Sequence, residues 1–175
     1  MLSKIKIIFC YAVLLVQGGC GVYSFTGAAL SPDIRTVSID NFYNDTPNGP
    51  ANLSQTFTEK IRDYFQQNTN LVLVKADGDL QLEGRIIGYD TRDVAPRAAQ
   101  EDDGVDYSSL TRLTIRVQTV YVNTKDDTFD FDKNFSFFSD FDNTRNSLLD
   151  IEESLIDEIS DQIIIDIFNA SVANW

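Results

Sequence analysis

Residues 110–137, LTRLTIRVQTVYVNTKDDTFDFDKNFSF, carry the clearest structural signal in this chain. Leu113, Ile115, Val117 and Tyr121 fall on one side of an extended segment, and Arg112, Thr114, Arg116 and Gln118 fall on the other. Strict alternation specifies a half-buried strand, because successive side chains of a strand point to opposite faces. Lys125-Asp126-Asp127 supplies a turn, after which Phe129, Phe131, Phe135 and Phe137 alternate along a partner strand. The Phe row from Phe129 to Phe141 reads either as the core face of a sheet or as a lipid-contacting stripe; the first is the usual fate of such a pattern.

Outward from this hairpin the same logic places further elements. Leu80, Leu82, Gly84, Ile86 and Gly88 share one face of a longer strand, with Gln81, Glu83 and Arg85 on the other; the two glycines leave gaps for close packing. Leu71–Lys75 is a short apolar strand followed by an Asp77-Gly78-Asp79 turn, and Ile34–Phe42 is a strand rich in β-branched residues. Asn44–Asn52, with Pro47 and Pro50, and Thr91–Ser109, with Pro96 and several acids, read as loops.

Two helices complete the set. Asn52–Gln55 has capping-box spacing, and Leu53, Phe57, Ile61, Tyr64 and Phe65 then form one apolar face. Leu148–Ala170 repeats Ile151, Leu155, Ile159, Ile163 and Ile167 at four-residue steps, and its charged positions are acidic. A run of strands between helices predicts an α+β fold, with two helices packed on one face of a mixed four- to five-stranded sheet. The other face is left for solvent or a partner.

Ahead of this domain lies an address. Lys4 and Lys6 precede an uncharged apolar run, Ile7–Val16, which is too short to span a bilayer; Gln17-Gly18-Gly19 then leads to Cys20. A thiol directly after Gly-Gly resembles a bacterial lipobox, in which the Cys is diacylated and becomes the first residue after cleavage; Gln17 stands where Leu is usual. An ordinary cleavage site leaving a free Cys is the alternative. The only other Cys, Cys10, falls in the segment to be removed, so the mature chain has no intramolecular disulfide. Several acyl chains hold a protein on a membrane without a spanning helix.

Composition narrows the chemistry. The 175 residues suffice for one domain with its own core, and a net charge of −13 argues against a nucleic-acid partner. There is no His, which removes the usual general base and the commonest metal ligand. No phosphate-binding Gly loop and no Gly-x-Ser-x-Gly elbow occurs. Paired carboxylates are frequent in so acidic a chain and single out no acid/base pair. The clusters at 126–130 and 140–144 lack the Gly and Glu of an EF-hand loop and read as solvated turns. Neither an enzyme, a metal site nor a cofactor is expected.

The basic residues are unevenly spread: Arg85, Arg92, Arg97, Arg112 and Arg116 fall in the central strands and the loop between them. If Arg85, Arg112 and Arg116 share the outer sheet face, their guanidinium forks suit the phosphates of an anionic lipid head group. Cross-strand pairing with Glu83 and neighbouring acids is the competing reading.

Taken together, GCGVYSFTG (19–27), VSIDNF (37–42), LSQTFTEKIRDYFQQNTNLVLV (53–74), GDLQLEGRIIGYD (78–90), LTRLTIRVQTVYVNTKD (110–126) and the final VANW resemble the LptE family of lipopolysaccharide-assembly lipoproteins. The resemblance implies a non-enzymatic protein tethered to the inner leaflet of the Gram-negative outer membrane. Its partner is a β-barrel of LptD type, which it plugs and helps assemble during lipopolysaccharide transport to the surface. It implies lipidation at Cys20 and lipopolysaccharide contacts through basic residues, for which Arg85, Arg112 and Arg116 are the candidates by strand position. The chain then divides into a signal peptide (1–19), a lipidated tether (20–33) and one domain (34–175). A rival class, a periplasmic lipoprotein that activates a cell-wall synthase or builds a secretion pore, has a related strand–helix–strand layout. A soluble-ligand carrier would need an apolar cavity that nothing in the sequence demands.

Overall fold

The computed structural model describes residues 30–94, 110–145 and 147–172. The signal segment, Cys20 and most of the tether, as well as the greater part of the loop expected over 91–109 and the last three residues, lie outside the described residues. The elements run β1 (Thr36–Ile39), β2 (Tyr43–Asn44), α1 (Leu53–Asn68), β3 (Val72–Val74), β4 (Leu80–Asp93), β5 (Leu110–Asn123), β6 (Phe131–Asp142) and α2 (Leu148–Ser171). The sheet order is β3-β1-β4-β5-β6, with β2 also paired to β4. β1 is parallel to β3 and β4, whereas β4, β5 and β6 form an antiparallel meander, so the sheet is mixed. α1 is the crossover that parallel neighbours require between β1 and β3.

Both helices cover one face of this sheet, as expected for the α+β class. Leu113, Ile115, Val117 and Tyr121 of β5 join Phe57, Ile61 and Phe65 of α1 and Ile159, Ile163 and Ile167 of α2 in a single core. The helices meet where Phe168 takes Tyr64 and Phe65 edge-on, with ring centroids 5.1 Å apart in each case. The Phe row divides. Phe131 and Phe141 are buried in the core and Phe135 and Phe137 pack against it, while Phe138 points to the outer face and Phe129 lies in an exposed 3-10 turn before β6. No helix among the described residues is long and apolar enough to cross a membrane.

Several local expectations are corrected. Asn52 makes no side-chain bond at the start of α1, so the capping box does not form; the Leu53 N–H donates to the Pro50 carbonyl instead. The strand expected over Ile34–Phe42 is confined to Thr36–Ile39 and breaks over Asp40–Phe42, and pairing resumes as β2 at Tyr43–Asn44, at the start of the expected loop. The break is held by three residues spaced four apart on α1. Thr58 Oγ1 accepts from the Phe42 N–H at 3.0 Å, Ser54 donates to the Phe42 carbonyl, and Arg62 Nη2 donates to the Ile39 carbonyl at 2.7 Å. The helix thus satisfies backbone groups that the ladder drops. β4 also continues through Asp93, beyond the expected loop start.

The largest correction is in β4 itself. The pairing with β5 steps from Ile86↔Val117 to Gly88↔Arg116, leaving Ile87 without an opposite number. One extra residue reverses the alternation. Leu80, Leu82 and Ile86 face the core, but beyond the bulge it is Tyr89 that faces inward, and Gly88 moves to the outer side. The gap at Gly84 is filled from the core by the Phe42 ring; the gap at Gly88 is filled from the opposite side by the Arg116 guanidinium, whose Nε lies 2.6 Å from where a Cβ would sit.

Asp79 anchors the start of β4. Its Oδ2 accepts from the Arg35 N–H at 3.0 Å, the Thr36 N–H at 3.1 Å and the Thr36 hydroxyl at 2.9 Å, and its Oδ1 pairs with Lys125 Nζ at 3.1 Å. The backbone bond from Arg35, then those from Lys125 and Thr36, hold this carboxyl far below its ordinary 3.8.

Two outcomes follow from these contacts. Gly84→Ala drives a methyl into Phe42 and the Gln118 carbonyl and lowers stability by about 1–3 kcal/mol, whereas Gly88→Ala meets only a movable side-chain end and costs less than about 1 kcal/mol; urea midpoints compare them. For Asp79, the unfolded chain takes up a proton as pH falls through 3.8 while the folded chain resists it. Its contribution is therefore full above that range and lost as pH falls below it. Asp79→Asn gives a shallower decline of the urea midpoint between about pH 4 and 2 than the parent chain.

Candidate functional site

The face of the sheet away from the helices is built from rows of cross-strand neighbours. Glu83, Val120 and Asp132 form one row, and Tyr43, Arg85, Gln118 and Asn134 the next; beyond the bulge come Gly88, Arg116 and Ser136, then Asp90, Thr114 and Phe138, then Arg92, Arg112 and Asp140. Even-numbered β5 residues point to this face because the odd-numbered ones are buried in the core. The three arginines expected on the outer face are therefore all there.

They are not all together. Arg112 and Arg116 line one open depression of about 420 Å³ with Arg92, Asp90, Asp93 and Thr114. Arg85 lies in a second depression, of about 370 Å³, among Asp40, Asp45, Glu83 and Asp132. Each of the three has an acidic partner, though none pairs with Glu83. Arg112 makes a bidentate bridge to Asp140 at 2.7 and 2.8 Å, Arg116 Nη2 reaches Asp90 at 2.6 Å, and Arg85 Nη1 reaches Asp45 at 3.4 Å. The bond to Asp140 raises the Arg112 pKa. Its Cζ lies 3.6 Å from the centre of the Phe138 ring, which is 43% exposed, so cation and aromatic form one stacked surface.

Arg92 is the residue that strand alternation does not select. Without the bulge it would fall on the face of Leu80 and Leu82; with it, Arg92 stands directly opposite Arg112. Like charges across a ladder repel, and among the described residues Arg92 has no acidic partner within bridging distance, so Arg92 leaves this depression with an uncommitted cation.

Elsewhere the titratable groups are structural. Tyr89, beyond the bulge, donates from its hydroxyl to Glu152 of α2 at 2.5 Å; burial and then this carboxylate push its pKa up. Burial, then Asp130, pushes Tyr121 to about 12. Lys60 bridges Asp157 and Asp161 of α2; its burial is outweighed by these two carboxylates, which raise its pKa. The acidic clusters act as turn caps: Asp126 Oδ1 accepts from the Thr128 N–H at 3.0 Å, and Asp142 Oδ1 from the Thr144 N–H at 2.9 Å. No group of three or more potential metal ligands converges among the described residues.

Fold and face define an α+β domain with its helices sealed against one side of a mixed sheet and a polar, arginine-bearing side left open. The sequence matches the model of the LptE lipopolysaccharide-assembly family over residues 34–171, and the chain belongs to that family. It is a family of non-enzymatic lipopolysaccharide-assembly lipoproteins. Among solved structures, the hypothetical protein CT253 from Chlamydia trachomatis superposes with a TM-score of 0.52 at 11% identity, covering 81% of this chain and 99% of that one, which establishes a shared fold. Rare lipoprotein B from Shewanella oneidensis gives a TM-score of 0.49 at 10% identity, over 78% of this chain and 90% of that one. No curated protein matches the chain.

Proposed function

We propose that this chain is an outer-membrane lipoprotein that plugs and helps assemble a β-barrel translocon of LptD type, delivering lipopolysaccharide to the cell surface. The family match over 34–171 carries this reading. On it, residues 1–19 are a signal peptide, Cys20 is acylated and begins a tether to residue 33, and the domain from residue 34 works in the periplasm or the barrel lumen. A compact domain with one open polar sheet face suits a polar lumen, and an anchor raises its concentration there before docking. The domain is not catalytic on this reading; it holds surfaces in place.

Lipopolysaccharide phosphates are the ligand of the arginine face. Arg112 and Arg116, already seated by Asp140 and Asp90, hold their remaining N–H donors in place, and Arg92, without an acidic partner among the described residues, supplies further charge. A phosphate entering between them relieves the Arg92–Arg112 repulsion. Arg85, committed to Asp45 in the other depression, is the outlying contact.

Membrane-extracted, C-terminally tagged protein brings down a stoichiometric LptD-type barrel, and Cys20→Ala yields a chain that lacks acyl mass and leaves the membrane fraction. Recovery of a cell-wall synthase, or of the protein's own oligomer without a barrel, overturns the plug reading. Replacing Arg92, Arg112 and Arg116 together by Gln weakens lipopolysaccharide binding by about tenfold or more, and Arg85→Gln weakens it less. An equal loss from Arg85→Gln alone would reject the three-arginine assignment.

A further inference from the structure

The other end of the open sheet face has a different character. The depressions beside Arg85 and along β1 share Asp40, Glu83 and Val120, and so form one continuous groove. Its floor is apolar and uncovered: Tyr43 is 66% exposed and Val122, beside Val120 on β5, is 36% exposed. Its rim is anionic. Asp40, Asp77 and Glu83 have no basic partner within bridging distance among the described residues, and the lone cation lining the groove, Arg85, is taken by Asp45.

From this groove we infer a docking surface for a Lys- or Arg-bearing polypeptide segment of another protein. Such a segment lays alkyl stems on Tyr43, Val120 and Val122 and sets its charged heads against Asp40, Asp77 and Glu83. The occupants of other chemistry fit less well. A second copy of this chain brings its own net charge of −13 to the same face. A bare divalent ion finds no convergent set of ligands here. An anionic lipid is repelled by the three unpaired carboxylates. The inference adds to the barrel assignment the chemistry of the surface covering this end, and it stands whether or not that surface belongs to a barrel.

The test uses the full-length chain in a nonionic detergent. The probe is a fluorescein-labelled peptide of about ten residues in which Lys and Arg alternate with Val and Thr, and a version with Glu for Lys and Arg is the control. Fluorescence anisotropy reports binding of the cationic peptide alone. The Asp40→Asn, Asp77→Asn, Glu83→Gln triple variant weakens it by about tenfold. A variant with the same charge change elsewhere, Asp63→Asn, Asp150→Asn, Glu153→Gln, leaves it within about twofold. Tyr43→Ala weakens binding several-fold without changing the salt dependence, as an apolar floor requires. Failure of the cationic peptide to bind overturns the inference. So does equal loss from both triple variants, which reduces the effect to the overall charge, or full displacement of the peptide by equimolar Mg²⁺, which reduces the groove to an ion sink. Peptide binding without a barrel in the pull-down retains this surface and rejects only the plug.

Discussion

The bulge at Ile87 is the constraint on which both faces of the sheet depend. Before it, Leu80, Leu82 and Ile86 fill the core; after it, Tyr89 turns inward to reach Glu152 of α2, and Gly88 turns outward beneath Arg116. A strand of this length without a bulge would carry Arg92 toward the core, where an unpaired guanidinium is not tolerated. Inserting a single residue therefore does two things. It ties the second helix to the central strand, and it delivers a third arginine to the face where Arg112 and Arg116 already point.

Glycine and helix side chains make that arrangement affordable in space. Gly84 admits Phe42 against β4, and Phe42 in turn sits where the first strand is interrupted. The interruption exposes backbone groups, and Ser54, Thr58 and Arg62 on α1 take them up. The first helix is thus more than a lid of apolar residues. Its polar stripe completes the hydrogen bonding of the sheet edge, so that β2 can pair beside the bulge.

Charge separates the open face into two ends. At one, each of Arg112 and Arg116 is oriented by a carboxylate and Arg92 has no acidic partner among the described residues; at the other, carboxylates surround Tyr43, Val120 and Val122. An acidic protein with such a face can offer phosphate contacts and cation contacts at once, because the relevant distances are short and the intervening charges pair locally. Net charge alone would have hidden both.

Much of this was legible along the chain. The alternation in 110–121 marked which β5 residues are buried, and the four-residue repeat in 148–170 marked the inner face of α2, because burial on one side imposes the period of the element directly. The α+β class and the outward placement of Arg112 and Arg116 follow from those periods. The capping-box spacing at Asn52, by contrast, misled, since a cap depends on the path of the preceding Pro50 segment. Sequence by itself thus determined which strands and helices exist and which of their sides are apolar. Only the tertiary structure decided where β4 changes face, that Arg92 joins Arg112, that Arg85 stands apart, and that an apolar groove runs along the acidic end. A bulge and a strand register are settled by hydrogen bonds and packing between distant segments, and no local period records them.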